Sequence, residues 1–416
     1  MKSLKKISMT NQIMIAMVLG IAAGLFFGPA IAPIAVIGQI FLRLIQMAVV
    51  VMIMGAVIEA VGTLDPQILG KLGGKMAAWF LGGTAIAASL GLVLGYLIQP
   101  GAGVDMQINA SAEVATMTGS VTDVILAFFP SNVVQSMSTG NMIQVIIFAL
   151  LFGLSISLLS TRRDLTALKA TISQFNEVIL QLVTTVMHLA PLGIFALLAN
   201  VTGVIGLTVI LPLAKFLLAM AIGSVIFLVL WIFITSMITK VNPAHIVKGL
   251  SRMTIMAFTT TSSAITLPVK MEDQENKLGV SRRISQLVGP LGMAMNSNGL
   301  SLFLAIAAIT LAQFYGLEFT LANAIQTVTL STLATLGTVA VPGGGLVALT
   351  IVIPALGLPP ESIGLLAGID WFSGMFRTVL NVDADATIAM ILAYGEGELD
   401  HQHIKEVHTT QATDVS

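Results

Sequence analysis

Long apolar runs separated by short polar breaks fill most of the chain. Six runs reach the roughly 20 residues a helix needs to cross a bilayer: 12–31, 34–63, 76–98, 141–160, 176–201 and 208–239. A mixed stretch at 121–140, VTDVILAFFPSNVVQSMSTG, reads as an interfacial segment or as a broken addition to the fourth run. The first run follows Lys2, Lys5 and Lys6, is long and glycine-rich, and precedes further runs. It reads as a span rather than a cleaved leader. Beyond residue 240 the pattern changes. The stretch 253–270, MTIMAFTTTSSAITLPVK, is short, rich in Thr and Ser, and closed by Pro268. The run 285–315 is interrupted at Asn296 to Gly299, the run 322–358 at Val341 to Gly345, and the run 363–395 by polar residues from Arg377 to Asp385.

Basic residues orient these runs. With the N-terminus inside, Lys71, Lys75, Arg162, Arg163, Lys169, Lys240, Lys248 and Arg252 all fall inside. The loops 99–120 and 202–207 fall outside and carry no Lys or Arg, as the positive-inside bias requires. If 253–268 crossed the bilayer, Lys270, Lys277, Arg282 and Arg283 would lie outside. A re-entrant hairpin keeps them inside. Non-helical backbone at that depth is tolerated where it faces protein or a wet cavity. Hairpin followed by broken span then occurs twice, with opposite entry sides. This pattern points to inverted repeats and a site near the midplane. A bundle with ordinary Gly and Pro kinks is the plainer alternative.

Composition agrees and excludes other classes. Hydrophobic residues make up 56% and charged residues 9%, against roughly 25% charged in a soluble domain. Mean hydropathy is +0.96. A soluble fold could not cover its surface from this composition, so an all-α integral membrane protein is the fold class. A net charge of -1 gives no basic field for nucleic acid. There is no cysteine, hence no disulfide, thiolate metal site or catalytic thiol. No HExxH, GxSxG or P-loop motif is present, so nothing supports an enzyme or an ATP-driven pump.

The last run concentrates the chemistry. Asp370, Gly374, Arg377, Asn381 and Asp385 fall on one helical stripe. Charges at membrane depth cost about 2.5–3.5 kcal/mol each on insertion scales, so they must pair or line a polar cavity. The planar fork of Arg377 suits an anionic ligand, or a structural ion pair with one of the aspartates. Asp383 lies off the stripe, near the cytoplasmic end or paired locally. Asn296 and Asp385 offer oxygens to a hard cation such as Na+, helped by carbonyls near the break. His188 reads as a hydrogen-bonded lone histidine, and the tail after Ala393 as solvated.

Four ordered segments carry a family resemblance: Thr260–Pro268 (TTSSAITLP), Pro290–Gly299 (PLGMAMNSNG), Gly337–Gly345 (GTVAVPGGG) and Phe376–Asp385 (FRTVLNVDAD). They resemble the serine-rich hairpin, NMDGT span, glycine-proline hairpin and RTxxNVxGD span of the dicarboxylate/amino acid:cation symporters, which include the glutamate transporters. The resemblance covers nearly the whole chain. It implies eight transmembrane helices plus two re-entrant hairpins, working as an elevator in a homotrimer in the inner (plasma) membrane with a cytoplasmic N-terminus. It implies scaffold helices 1 and 2 at 1–75, transport-domain helix 3 at 76–98 and scaffold helices 4 and 5 at 99–207. The rest of the transport domain would occupy 208–400, with a cytoplasmic tail at 401–416.

The same resemblance assigns residues. Ser262 and Ser263 match the first hairpin tip; Val341, Gly343 and Gly345 match the second, a gate. Arg377 matches the arginine that holds the substrate's distal carboxylate, with Gly374, Thr378 and Asn381 beside it. Gly292, Asn296, Asn381 and Asp385 match one sodium site. Thr335, Leu336 and Thr338 match part of a second. Departures are informative: Gly374 stands where amino acid transporters carry an Asp for the amino group. Ser297, Asn298 and Leu300 replace the Met, Asp and Thr of NMDGT, and Gly83 and Thr84 match a polar pair of the third span. These changes favour C4-dicarboxylates over acidic amino acids. The resemblance thus implies symport of small carboxylates with Na+, H+ being the rival ion. An anion channel or a non-transporting receptor on the same fold remains the other reading.

Overall fold

The computed structural model describes residues 9–63, 71–103, 129–139, 142–206, 210–335 and 344–406. Every described element is helical, apart from one isolated antiparallel bridge between Val280 and Leu399. The helices are α1 (Met9–Phe27), α2 (Ala35–Gly62), α3 (Lys71–Ile98), α4 (Val133–Thr139), α5 (Met142–Leu159), α6 (Thr166–Met187), α7 (Ala190–Ile205), α8 (Ile210–Thr239), α9 (Pro243–Thr260), α10 (Ser263–Asn276), α11 (Arg282–Met295), α12 (Asn298–Phe314), α13 (Leu321–Ala334), α14 (Gly344–Ala355), α15 (Ile363–Ala367) and α16 (Asp370–Glu396).

Two sets of helices pack among themselves. In the first, α2 contacts α5, α6 and α7, and α1 lies along α7. Gly20 and Gly24 of α1 face α7 so closely that a Cβ would come within 2.7 Å of Phe195 O and 2.5 Å of Ala199 O. Such small residues at four-residue spacing let membrane helices approach backbone to backbone. Glu59 of α2 accepts a hydrogen bond from Asn176 Nδ2 of α6 at 2.6 Å, which ties the two helices together inside the bundle. In the second set, α12 and α16 pack against each other, and α3, α8, α9, α10, α11, α13 and α14 gather round one or both of them. Of the α12 residues, all but Gln313 are buried. A helix apolar all round is a core helix, here surrounded by protein. By contrast α8 buries Phe216, Met220, Phe227 and Trp231 and leaves Val225, Val229, Phe233 and Met237 exposed at four-residue spacing. That outward apolar stripe suits lipid tails.

The element boundaries follow local chemistry. Asn242 caps α9 by accepting from Ala244 N, with Pro243 at the first helical position. The chain then turns at Thr261, which is left-handed (φ 50°), and Ser262 caps α10 through Ile265 N. Arg252 of α9 meets Glu272 and Asp273 of α10 at 3.1 and 3.5 Å, so the two helices fold back on each other. This helical hairpin spans Pro243–Asn276, longer than the 253–268 read from hydropathy. The break in the next span is where the sequence put it: Asn296 and Ser297 leave the helix between α11 and α12.

Three expectations are corrected. The fifth run is not one helix over 176–201 but two, α6 and α7, bent by 50° around His188 and Leu189. Pro191 cannot continue the hydrogen-bond ladder and opens the new helix, while His188 Nδ1 meets Thr184 O at 2.9 Å. The last span is not broken between Arg377 and Asp385. Its 85° bend lies earlier, at Gly368 and Ile369, and α16 then runs unbroken. Asp383 and Asp385 find side-chain partners on neighbouring elements, Asn381 the Gly299 N–H of α12 and Arg377 the Asp370 of its own helix, so the backbone of α16 has no reason to unwind. The tail after Ala393 is not free to residue 406. Arg283 Nη2 meets Glu398 at 2.6 Å, His401 meets Thr239 O at 2.8 Å, and Ile404 is buried. Residues 407–416 lie outside the described residues.

Candidate functional site

Asp370 opens α16 straight after the bend, and Arg377 follows two turns later. Arg377 Nη1 donates to Asp370 Oδ1 at 2.7 Å and Nη2 to the Asp370 carbonyl at 3.1 Å. The side chains are 10% and 9% exposed. The guanidinium carbon lies 4.4 Å from the centre of the Phe303 ring of α12, a cation–π contact. The first turn of α14 abuts the pair: a Cβ on Gly345 would fall 1.6 Å from Arg377 Nη1 and 2.2 Å from Asp370 Oδ1. Any larger residue there would push the ion pair aside. Gly374 lies on the same side, its absent Cβ 3.2 Å from Nη2. Of the two roles open for Arg377, the ion pair with an aspartate is present. The fork also stands at a helix break, the α14 N-terminus and the edge of the buried region.

The remaining residues assigned to substrate divide. Thr378 donates to Gly374 O at 2.8 Å, within its own helix. Asn381 Oδ1 accepts from Gly299 N at 2.8 Å and so caps the start of α12. Gly299 needs to be glycine because a Cβ would sit 2.2 Å from Arg377 O. Ser262 and Ser263 are buried at the first hairpin tip. One turn before that tip, Phe258 meets Phe376 edge-on, with 6.0 Å between ring centres. Val341 and Gly343 lie outside the described residues, as do Leu336 and Thr338. Thr335 is buried and donates to Thr332 O at 2.6 Å.

Gly292, Asn296 and Asp385 come together at the break between α11 and α12. Asn296 Nδ2 donates to Asp385 Oδ1 at 2.7 Å, and Asn298 Nδ2 donates to Asn296 Oδ1 at 3.0 Å. Gly292 makes room for the carboxylate: a Cβ there would come within 2.5 Å of Asp385 Cγ. On α3, Gly83 faces Asn298 Oδ1, and the Thr84 carbonyl accepts from Ser301 Oγ at 2.9 Å.

Lys270, which the sequence marks only as one of the cations on the inner side, completes this cluster. Lys270 is on α10, wholly buried, and its Nζ lies 2.5 Å from Asp385 Oδ2 and 3.0 Å from the Gly289 carbonyl. Its signal was present in the spacing. Ser263, Thr266, Lys270 and Asp273 recur at intervals of three and four, and all four are buried on one face of α10. As arranged, each side-chain oxygen of the assigned cation set already accepts a hydrogen bond: both oxygens of Asp385, Asn296 Oδ1 and Asn381 Oδ1. The one negative charge faces one ammonium. With Lys270 in place, the set does not fit an added Na+. Asp383, off the stripe, accepts from Thr254 Oγ1 of α9, which lies 2.9 and 3.1 Å from its two oxygens.

A profile of the sodium:dicarboxylate symporter family matches residues 9–394. The chain belongs to that family. Its members are secondary transporters rather than enzymes, which makes this a multi-pass membrane transport protein. Among full-length relatives, the proton/sodium-glutamate symport protein of Bacillus caldotenax is 30% identical over 97% of this chain and 98% of its own length. The proton/glutamate-aspartate symporter of Escherichia coli K12 is 31% identical over 95% of each. The neutral amino acid transporter B(0) of Bos taurus is 30% identical over 91% of this chain and 78% of its own. For a symporter of this family, the bend before α16, the hairpin helices and the α11–α12 break place two charged clusters on one core helix.

Proposed function

We propose that this protein is a secondary active symporter that couples inward cation movement, of Na+ or H+, to uptake of small carboxylates, either C4-dicarboxylates or acidic amino acids. The observation that carries this reading is the Arg377 guanidinium, desolvated against Phe303 and balanced by Asp370 beside the α14 N-terminus. A planar fork in a water-poor setting binds a carboxylate through two charge-assisted hydrogen bonds. A substrate carboxylate competes with Asp370 for that fork. A dicarboxylate would displace Asp370 outright. A zwitterionic amino acid would insert into the pair, its carboxylate on Arg377 and its ammonium on Asp370. The names of the glutamate and glutamate-aspartate symporters above support the second substrate class, and the missing carboxylate at Gly374 the first.

On this reading Ser262 and Ser263 contact the substrate from one hairpin, and Val341, Gly343 and Gly345 close over it from the other. Gly374, Thr378 and Asn381 line the α16 side. The α3 and α8–α16 set moves as a transport domain against the α1, α2 and α5–α7 set, within a homotrimer in the inner membrane. Uptake into proteoliposomes tests the function. Labelled succinate or aspartate should accumulate above its outside concentration under an inward Na+ or pH gradient, and an ionophore should abolish the accumulation. Equilibration without accumulation would make the protein a channel, and binding without uptake a receptor.

A further inference from the structure

We infer that Lys270 is a tethered cation occupying the seat at Asp385, so that this seat takes no Na+. The inference rests on the transporter reading and adds which ion that cluster excludes. Its basis is geometric. The Lys270 ammonium is buried to 0% exposure and contacts Asp385 Oδ2 and the Gly289 carbonyl. It arrives from α10, while its acceptors belong to α11 and α16. One cation therefore bridges three helices, as a bound metal ion would. The oxygens around it suit a hard cation, and the carboxylate supplies one negative charge to one positive charge. A Na+ added beside Asp385 would face the buried ammonium at contact distance, and among the described residues Asp385 is the one carboxylate paired with that ammonium.

Permanence is the functional consequence. A bound Na+ dissociates and so can couple its gradient to substrate movement. A lysine on the same hairpin cannot leave. The seat therefore holds the hairpin to α11 and α16 throughout a cycle and carries no charge across the membrane by ion release. A sodium gradient then has no purchase here, and coupling falls to the proton.

The test uses full-length purified protein in detergent, with thermal unfolding followed in NaCl and in choline chloride at equal ionic strength, without substrate. Wild type should unfold at the same temperature in both salts. Lys270→Ala and Lys270→Thr empty the seat and restore an uncompensated Asp385. Their midpoints should rise in NaCl over choline chloride by about 3 °C or more, as expected for a ligand well above its Kd. A sodium-specific shift in wild type overturns the inference, and so does a folded Lys270 variant that gains none. If neither variant is recovered folded, wild-type substrate binding decides: equal affinity in the two salts upholds the inference, and a sodium requirement overturns it. Absence of any substrate binding would count against the proposed function instead, because the salt comparison needs no substrate.

Discussion

Two carboxylate–cation pairs share one stripe of α16, their aspartates about four turns apart, and their settings differ. Asp370 and Arg377 belong to the same helix, lie next to the bend and the α14 N-terminus, and keep about a tenth of each side chain exposed. Asp385 and Lys270 join α16 to a hairpin, are buried to 1% and 0%, and are braced by Asn296 and Gly289. A buried pair is weak evidence of net stabilisation, yet losing one partner is costly because the other is left charged and unpaired. The difference teaches how one helix can hold an exchangeable pair and a fixed one. On the proposed reading, a substrate carboxylate reaches the guanidinium and Asp370 stands in for it until then. The deeper lysine, buried with its carboxylate, serves the fold on the same reading.

Removing the deep carboxylate should have the largest effect. Asp385→Asn leaves the Lys270 ammonium without its counter-charge and should cost about 3–5 kcal/mol. Asp370→Asn should cost about 1.5–3 kcal/mol, the range of a hydrogen bond to a charged group, because nearby water can rescue Arg377. Thermal unfolding of the two variants side by side checks the order; equal losses would erase the contrast between the pairs. A substrate effect comes next. Asp370→Asn removes the carboxylate offered to a substrate ammonium, so aspartate affinity should fall about tenfold or more relative to succinate. Competition binding reads this directly, and an unchanged ratio would mean that Asp370 is no ammonium partner.

The smallest effect belongs to a surface pair that serves as the reference. Arg283 holds the Glu398 carboxyl below the usual glutamate range through its hydrogen bond, with Ser281 adding a second. A lowered carboxyl pKa stabilises above the unfolded value and loses that contribution as pH falls through the folded value. Glu398→Gln should therefore cost under about 1 kcal/mol near neutral pH. Its unfolding midpoint should converge with that of wild type once the pH has fallen below the lowered Glu398 pKa, where both forms are neutral. A gap that persists at acid pH would mean that packing rather than charge links the tail to α11.

Much of this was legible in the sequence because membrane burial leaves a coarse signal. The α11–α12 break could be read from Asn296 to Gly299, where polar residues and a glycine interrupt an apolar run. The stripe of α16 followed from helical spacing alone. Misreadings came where hydropathy and backbone part company. The polar cluster of α16 resembled a break, but Asp383 and Asp385 are met by Thr254, Lys270 and Asn296, Asn381 by α12, and Arg377 by Asp370 of its own helix. The real bend falls at Gly368 and Ile369, inside an apolar stretch that carries no such mark. The run 176–201 straddled two helices because α6 is apolar on one face only and α7 restarts near Pro191. Lys270 was missed because a charge beside Pro268, close to other cations, looks like a loop until the buried face of α10 is traced.

The most direct measurement is equilibrium binding of succinate and of aspartate to purified wild type and Arg377→Lys. Lysine keeps a positive charge opposite Asp370, so the fold retains its ion pair, but it lacks the planar fork. The account predicts measurable binding of at least one ligand to wild type and a loss of about ten- to a hundredfold in the variant, the worth of one charge-assisted hydrogen bond. Binding of unchanged strength in Arg377→Lys would contradict it and move the substrate carboxylate elsewhere in the protein.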